Sequence, residues 1–355
     1  MLKPPLNADL LPSFVDLFEQ AWPTEHWIDL PIVLAVSGGS DSVALLLALT
    51  DLRDRFLKAN QSSHDATPRQ GKLIAGHYHH GIRGSDADRD AAFVKSLCDQ
   101  RGIMCEIGEL DTQHLKKSPR EGWESTLRKK RYAFLTKLAE RNGARYVVTG
   151  HTMDDQVETI LHRVVRGTGL RGLSGMPRSR PLSPAVSLIR PMLTLSRCTA
   201  QEYLKALGVE WQTDLSNESE EFTRNRIRHD LLPLLEREFN PQAATAILRL
   251  GHLAGEAQET IDKVVTRALE ECSWEKRGET IEVEVRTLRI DSEFLLREML
   301  ISLWQAANWP LQAMGLSEWQ CLVELIKDPG VATRTLPGGV VAKKEGGKLS
   351  LHRPA

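Results

Sequence analysis

The sequence has few cysteines, and they do not form a metal-binding pattern. Its five cysteines are odd in number and scattered over 355 residues, and no two of them form a C-x-x-C pair. This spacing disfavours a disulfide framework, a zinc site and an iron–sulfur cluster. Long apolar runs are missing too, and the first residues lack the apolar core of a signal peptide. We therefore predict a cytoplasmic protein without a membrane segment.

The sequence also lacks the common phosphate-binding motif G-x-x-x-x-G-K-S/T. In its place, the apolar run from Ile32 to Val36 is followed by two glycines among serines and then by an apolar, helix-forming stretch. Glycines allow a tight turn close to a ligand, and the N–H groups of a helix start favour an anion. A turn that only caps the helix is the less favoured alternative. The predicted phosphate-binding residues are Ser37, Gly38, Gly39, Ser40, Asp41 and Ser42.

The near-zero net charge hides a strong local imbalance. The whole chain sums to −1, but residues 116–197 contain 17 Lys and Arg against 6 Asp and Glu, a local balance of +11. Such a region is suited to face a polyanion. The alternative is that these charges are spread over solvated helix faces, and the sequence does not decide between the two.

Apolar, β-branched segments alternate with helical segments in the first two thirds of the chain. The predicted strands cover residues 32–36, 72–77, 103–107, 144–149 and 186–189. This alternation predicts an α/β fold with a doubly wound parallel sheet. Beyond it, three helical segments and alternating strands predict a smaller α+β domain, so we place a catalytic domain at residues 1–238 and a second domain at residues 239–355.

Acidic residues follow the fourth predicted strand, at the sheet edge where the loop also lies. Thr152 and Asp155 fit a helix capping box, which accounts for one acid. Asp155 and Glu158 also share a helix face and could hold Mg²⁺ beside a triphosphate. We therefore assign Asp41 and Asp155 to magnesium or to a substrate amine, and His151 to the same acid–base cluster. Three nearby histidines, from His77 to His80, favour a phosphate-reaching loop with Arg83 over a metal site.

Arginines in later segments are candidate anion ligands. The catalytic candidates are Arg131 and Arg224, and the candidates for facing an RNA or another anion are Arg163, Arg166, Arg171 and Arg228. Arg224 and Arg228 lie four residues apart and share a helix face. For the basic run around Arg131, a solvated helix is an equally good interpretation. The G-x-G-x-x-G run at residues 167–172 follows a helix instead of a strand, so a dinucleotide site is rejected.

Several motifs together resemble the bacterial tRNA(Ile)-lysidine synthetases, a family of N-type ATP pyrophosphatases. In chain order they are SGGSDS, HHGIRG, ESTLRKKRYAFL, TGHTMDDQVET, RGTGLRGLSGM, RPML, DLSN and FTRNRIRHDLLPLL, within residues 32–235. One departure is Leu127, where the family usually has alanine before the first of two arginines. The resemblance implies a ligase that adenylates the C2 carbonyl of the wobble cytidine in the CAU anticodon of tRNA(Ile). The ε-amine of free L-lysine then displaces AMP, with ATP as substrate and Mg²⁺ as cofactor.

Three other functions are weighed against this one. A tRNA thiolase of the same class would need a persulfide cysteine or a cluster, which the scattered cysteines disfavour. A regulatory ATP-binding module would leave the acids and arginines unexplained. A glutamine-dependent amidotransferase lacks its N-terminal catalytic cysteine here. The sequence leaves open whether the chain forms a homodimer.

Overall fold

The computed structural model describes residues 13–60, 71–79, 85–109, 123–212, 223–288, 290, 292–311, 313–328, 330 and 332–354. The chain divides into two compact units, Met1–Gly251 and His252–Ala355. Within the described ranges, no helix has the length and apolarity needed to cross a bilayer.

A six-stranded sheet with the strand order β3-β2-β1-β4-β6-β5 forms the centre of the first unit. Its strands are β1 (Ile32–Ala35), β2 (Leu73–His79), β3 (Met104–Glu109), β4 (Tyr146–Thr149), β5 (Ser179–Pro181) and β6 (Ser187–Ile189). Neighbouring strands are parallel except for β5 and β6, which are antiparallel. The predicted α/β fold with a parallel sheet is confirmed.

Helices cover both faces of this sheet. They are α1 (Phe14–Ala21), α2 (Ser40–Asn60), α3 (Ser85–Gln100), α4 (Trp123–Arg141), α5 (Met153–Val165), α6 (Leu170–Leu173), α7 (Arg197–Ala206), α8 (Thr223–Arg226), α9 (Leu232–Glu238) and α10 (Ala243–Glu271), which continues into the second unit. Ile32 and Leu34 pack into a cluster with α1, α2, α3 and α7, whereas Val33 packs with α4 on the other face. Because strand side chains alternate between faces, the apolar run of β1 is buried on both sides.

The second unit contains a five-stranded antiparallel sheet with the order β7-β8-β11-β10-β9. Its elements after α10 are β7 (Trp274–Arg277), β8 (Thr280–Glu284), α11 (Glu293–Ala306), α12 (Leu316–Lys327), β9 (Ala332–Thr335), β10 (Val341–Glu345) and β11 (Lys348–His352). Trp304 lies at the centre of its core and packs edge-on against Trp309 and Trp319, with ring centroids 4.9 and 5.4 Å away. The separate α+β fold predicted for the C-terminal region is confirmed.

Two strands, β5 and β7, were not predicted. β5 has three residues, ends in a proline and is the edge of the sheet, so it carries almost no apolar alternation. The boundary between the compact units falls inside α10. The predicted domain boundary between residues 238 and 239 stays a prediction, because a compact unit defined by contacts need not coincide with a functional domain.

Candidate active site

The predicted phosphate loop joins β1 to α2 and is organised around the Ser42 side chain. Ser42 Oγ accepts hydrogen bonds from the backbone N–H groups of Ser37 and Gly38, both at 3.1 Å, and donates one to the Gly39 carbonyl at 2.9 Å. Gly38 has a φ of +97°, which a residue with a Cβ rarely adopts. The buried Ser42 hydroxyl therefore fixes the shape of the loop, and its predicted contact with ATP stays a prediction.

The end of β4 lies directly against the start of α2. A Cβ on Gly150 would lie 2.7 Å from the Asp41 carbonyl oxygen, so a glycine is required at this position. Because β1 and β4 are parallel neighbours, their carboxyl ends meet at one edge of the sheet. The phosphate loop and the acidic start of α5 are thus brought together, as the sequence predicted.

The two carboxylate oxygens of Asp155 have different partners. Oδ2 accepts hydrogen bonds from the Thr152 backbone N–H at 2.8 Å and from the Thr152 hydroxyl at 3.1 Å, so the predicted capping contact is confirmed. Oδ1 instead accepts from the Arg197 guanidinium at 3.1 Å. Burial alone would raise the pKa of Asp155, but Arg197, His151, the Thr152 N–H and Arg228 together lower it. One oxygen of Asp155 thus caps α5 while the other binds Arg197.

Arg197, at the start of α7, is the residue on which the site converges, and the sequence patterns did not single it out. Its Nε donates to Asp41 at 2.9 Å, and another guanidinium nitrogen lies 3.7 Å from Glu158. Its backbone N–H donates to Asp154 at 2.8 Å, which holds the start of α7 against α5. Burial would lower the pKa of Arg197, but the surrounding carboxylates raise it. Its only signal in the sequence is its position shortly after the RPML motif.

Asp41 differs from Asp155 in its electrostatic balance. Burial raises the pKa of Asp41, and the repulsion from Asp155 adds to this, whereas Arg197 and the Ser40 hydroxyl act in the opposite direction. Asp41 is therefore the less strongly stabilised of the two carboxylates. It is also the one that lies in the first turn of α2, directly after the phosphate loop.

Glu158 and Arg228 form a two-point ion pair at the floor of the site. Glu158 is 2% exposed, and its two carboxylate oxygens accept from Arg228 at 2.6 and 3.0 Å. Arg224 donates to the Thr159 hydroxyl at 2.7 Å. Arg224 and Arg228, which were predicted to share a helix face, thus both contact α5. Arg228 lies in a π-helical turn, a feature often found at functional sites.

His151 is half-buried, and its ring shares a hydrogen bond with the Thr149 hydroxyl at 2.8 Å. Burial lowers its pKa to about 3, opposed by Asp155 and assisted by Arg190, Arg128 and Arg131. His151 is therefore neutral at physiological pH. A group with so low a pKa is a weak proton acceptor, which reduces the support for His151 as the general base.

The predicted tRNA-binding arginines do not form one group. Arg163 donates to the backbone carbonyls of Gly172 and Gly175 at 2.9 and 2.6 Å, so it holds the glycine loop that follows α5. Arg166 and Arg171 are exposed on the same segment. The contacts found for Arg163 give it a structural role, and the contact of all three with tRNA stays a prediction.

Other predicted residues lie near the site or outside the described part of the chain. Arg131 lies on α4, with its guanidinium 5.5 Å from the centre of the Tyr132 ring. His77 is buried at the end of β2 and contacts the Val36 carbonyl at 2.9 Å, so it supports the end of β1. Arg83 and the DLSN motif lie outside the described residues.

The donor set of Asp41 and Asp155 fits Mg²⁺ in its chemistry. Both carboxylates direct an oxygen at the same cation, the Arg197 guanidinium, and carboxylate oxygens are the hard donors that Mg²⁺ prefers. In the described part of the chain, no three His, Cys, Asp or Glu side chains are grouped closely enough to hold a metal ion. Protein Mg²⁺ sites commonly use one or two carboxylates and complete their ligands with phosphates and water. Binding here would require Arg197 to release both acids.

Comparison with known proteins places this geometry in a family. A family model described as a PP-loop domain matches residues 23–235. The tRNA(Ile)-lysidine synthase of Rhodopirellula baltica is 33% identical over 330 residues, which cover 86% of this chain and 82% of that protein. The tRNA(Ile)-lysidine synthase of Geobacillus kaustophilus is 36% identical over 238 residues, covering 67% of this chain and 48% of the relative. This chain thus spans about half the length of that second relative.

A solved structure shows the same fold. The U34-tRNA thiolase NcsA from Methanococcus maripaludis superimposes with a TM-score of 0.52 at 18% identity, covering 68% of this chain and 78% of that one. The fold, the SGGSDS loop between β1 and α2 and the family match define a PP-loop domain of the ATP-pyrophosphatase class. Within that class, the extended similarity is to one group of enzymes: the chain belongs to the tRNA(Ile)-lysidine synthase family.

Proposed function

We propose that the protein is an ATP-dependent ligase that converts the wobble cytidine of a CAU-anticodon tRNA(Ile) to lysidine. The observation that carries the proposal is the meeting of the SGGSDS loop with three carboxylates, those of Asp41, Asp155 and Glu158, around Arg197. An anion-binding loop beside a group of carboxylates suits a reaction between a triphosphate and an ammonium. The names of the similar synthases supply the tRNA and lysine.

The first step would activate a poor electrophile. The C2 carbonyl oxygen of the cytidine attacks the α-phosphorus of ATP, the bond from that phosphorus to the bridging oxygen breaks, and pyrophosphate leaves. The backbone N–H groups at the start of α2 stabilise negative charge on the phosphates. Mg²⁺, held by Asp41 and completed by phosphate oxygens and water, would supply positive charge beside the transferred phosphate.

In the second step, the ε-nitrogen of lysine attacks C2, the bond from C2 to the adenylated oxygen breaks, and AMP leaves with that oxygen. A free lysine amine has a pKa of about 10.4, so it arrives as an ammonium and must lose a proton before it attacks. Asp155 and Glu158 present carboxylate oxygens that can hold this ammonium. The Arg197 guanidinium lies among these same oxygens, so the site already accommodates a cation at this place.

The direct test combines the protein with ATP, labelled lysine and an unmodified tRNA(Ile) transcript with a CAU anticodon. Label should enter the RNA only when ATP is present, and AMP and pyrophosphate should form in equal amounts. A transcript with uridine at the wobble position is the matched control and should stay unlabelled. Pyrophosphate release without lysine transfer would contradict the proposal.

A tRNA thiolase remains the second candidate because the NcsA fold is similar. In this chain Cys98 is buried in α3 and Cys105 is half-buried in β3, both in helix–sheet packing. The third cysteine of the first unit, Cys198, is exposed, and its thiol contacts Glu202. Incorporation of labelled sulfur in place of lysine would favour the thiolase.

A further inference from the structure

A group of arginines surrounds Tyr132 on the side of α4 that faces strand β5. The guanidinium carbons of Arg128 and Arg180 lie 5.3 and 4.8 Å from the centre of the Tyr132 ring. Arg190, which follows β6, is close enough to both arginines to have its pKa affected by them. We call Arg128, Arg180 and Arg190, together with Tyr132, the arginine cluster.

This cluster has positive charge without matching negative charge. Among the residues that the structure describes, no carboxylate lies within ion-pair distance of Arg128, Arg180 or Arg190. Arg190 is 2% exposed, and its Nε has no hydrogen-bond partner in the described part of the chain, although another guanidinium nitrogen donates to the Pro177 carbonyl at 2.6 Å. Burial lowers the pKa of Arg190, and Arg180 and Arg128 lower it further, against the effect of Tyr132. Cations held together in this way favour the binding of an anion.

The cluster opens into a groove along α4. A cavity of about 550 Å³ lies there, and its lining includes Arg128, Lys129, Tyr132, Lys137, Arg180 and Leu182. Glu140 is the one acid among the described lining residues. Arg128 and Arg180, which have no carboxylate within ion-pair distance in the described part of the chain, give this groove a positive potential. An open, elongated groove suits a chain of phosphates, whereas a single small anion is usually held in an enclosed cradle.

The cluster also borders the catalytic centre. Arg190 and Arg128 both act on the pKa of His151, which in turn is affected by Asp155. The acid next to the phosphate loop, Asp41, is in direct contact with Arg197 and Ser40 instead. The cluster therefore lies beside His151, and a polynucleotide that delivers its base to the proposed catalytic centre would continue along it.

We infer that the arginine cluster and the groove along α4 bind the phosphodiester backbone of the RNA substrate next to the reacting nucleotide. This inference rests on the proposed function for the identity of the polyanion. Arg128 and Arg180 contact phosphates directly, because they are half-exposed. The buried Arg190 adds a positive charge behind these two side chains.

The test measures the affinity for the unmodified CAU transcript at several salt concentrations in Arg128→Gln, Arg180→Gln and the double variant. Each lost phosphate contact should reduce the slope of log K against log salt by about one unit, and the double variant should lose about two. Arg141→Gln removes the same charge from the same helix, but Arg141 pairs with Glu106 outside the groove, so this control should keep the parent slope. The affinity for ATP should not change in any of these variants.

Each other outcome has a definite meaning. Parent-like slopes in the two single variants and the double variant would overturn the inference. A loss of ATP or pyrophosphate affinity with an unchanged RNA slope would overturn it too. If the parent protein transfers lysine but the variants bind RNA as the parent does, only the groove assignment fails. If the parent itself neither binds nor modifies the transcript, the proposed function fails instead.

Discussion

The first unit contains two groups of arginines that differ in their partners. Arg197 and Arg228 lie among Asp41, Asp155 and Glu158, and their guanidinium groups share at least four close contacts with these acids. Arg128, Arg180 and Arg190 of the arginine cluster have no such carboxylates among the described residues. We infer two roles from this difference: the paired group shapes a site for cations, and the arginine cluster offers its charge to an anion.

The largest effect on activity is expected from a change in the paired group, at the acid next to the phosphate loop. Asp41→Asn should reduce pyrophosphate release by about a thousandfold or more, because it removes a carboxylate beside the triphosphate while leaving a similar shape. Asp54→Asn, further along α2 and paired with Arg53, is the matched control and should keep the parent rate. A parent-like rate in the Asp41 variant would remove Asp41 from the site.

A change at Asp155 should separate the two chemical steps. Asp155→Asn retains an oxygen for the cap at Thr152 but removes the negative charge that faces Arg197. We expect adenylation of tRNA to continue and lysine transfer to fall by about a hundredfold, so adenylated RNA should accumulate in a quenched reaction. Equal loss at both steps would place Asp155 with the magnesium ion instead.

Stability measurements should distinguish the two arginine groups directly. Arg197→Gln leaves three carboxylates facing one another without their shared cation, and we expect the free energy of unfolding to fall by about 2 kcal/mol at pH 7. Arg180→Gln leaves none of the described carboxylates without a partner, so it should change the free energy of unfolding by less than about 0.5 kcal/mol. Urea unfolding of both variants provides the comparison. Equal losses would show that the carboxylates around Arg197 do not depend on it.

The sequence predicted the parts of the site that lie close together in the chain. The strand, glycine loop and helix around Asp41 and the capping box at Asp155 are local patterns with a definite geometry, and both are found in the structure. The contact of Arg197 with Asp41 joins residues 156 positions apart, and no periodicity encodes it. The same holds for the approach of Arg180 to Tyr132, which depends on the unpredicted edge strand β5.

The smallest effect concerns His151, which connects the two arginine groups. Its ordinary pKa is 6.5, whereas burial in the folded protein lowers it to about 3. Between these values the unfolded chain binds a proton that the folded chain does not, so the free energy of unfolding falls as the pH falls below 6.5. His151→Gln removes this dependence.

The loss of stability between pH 7 and pH 5 should therefore be smaller in His151→Gln than in the parent, by about 1 to 2 kcal/mol. Urea unfolding at the two pH values measures it. Because Arg190 and Arg128 contribute to the low pKa of His151, an RNA phosphate bound at the arginine cluster would oppose their effect. Binding of the CAU transcript should then raise the pKa of His151, which an NMR titration of its ring can detect. An identical pH dependence of stability in parent and variant would show that His151 titrates in the folded protein as it does in the unfolded chain.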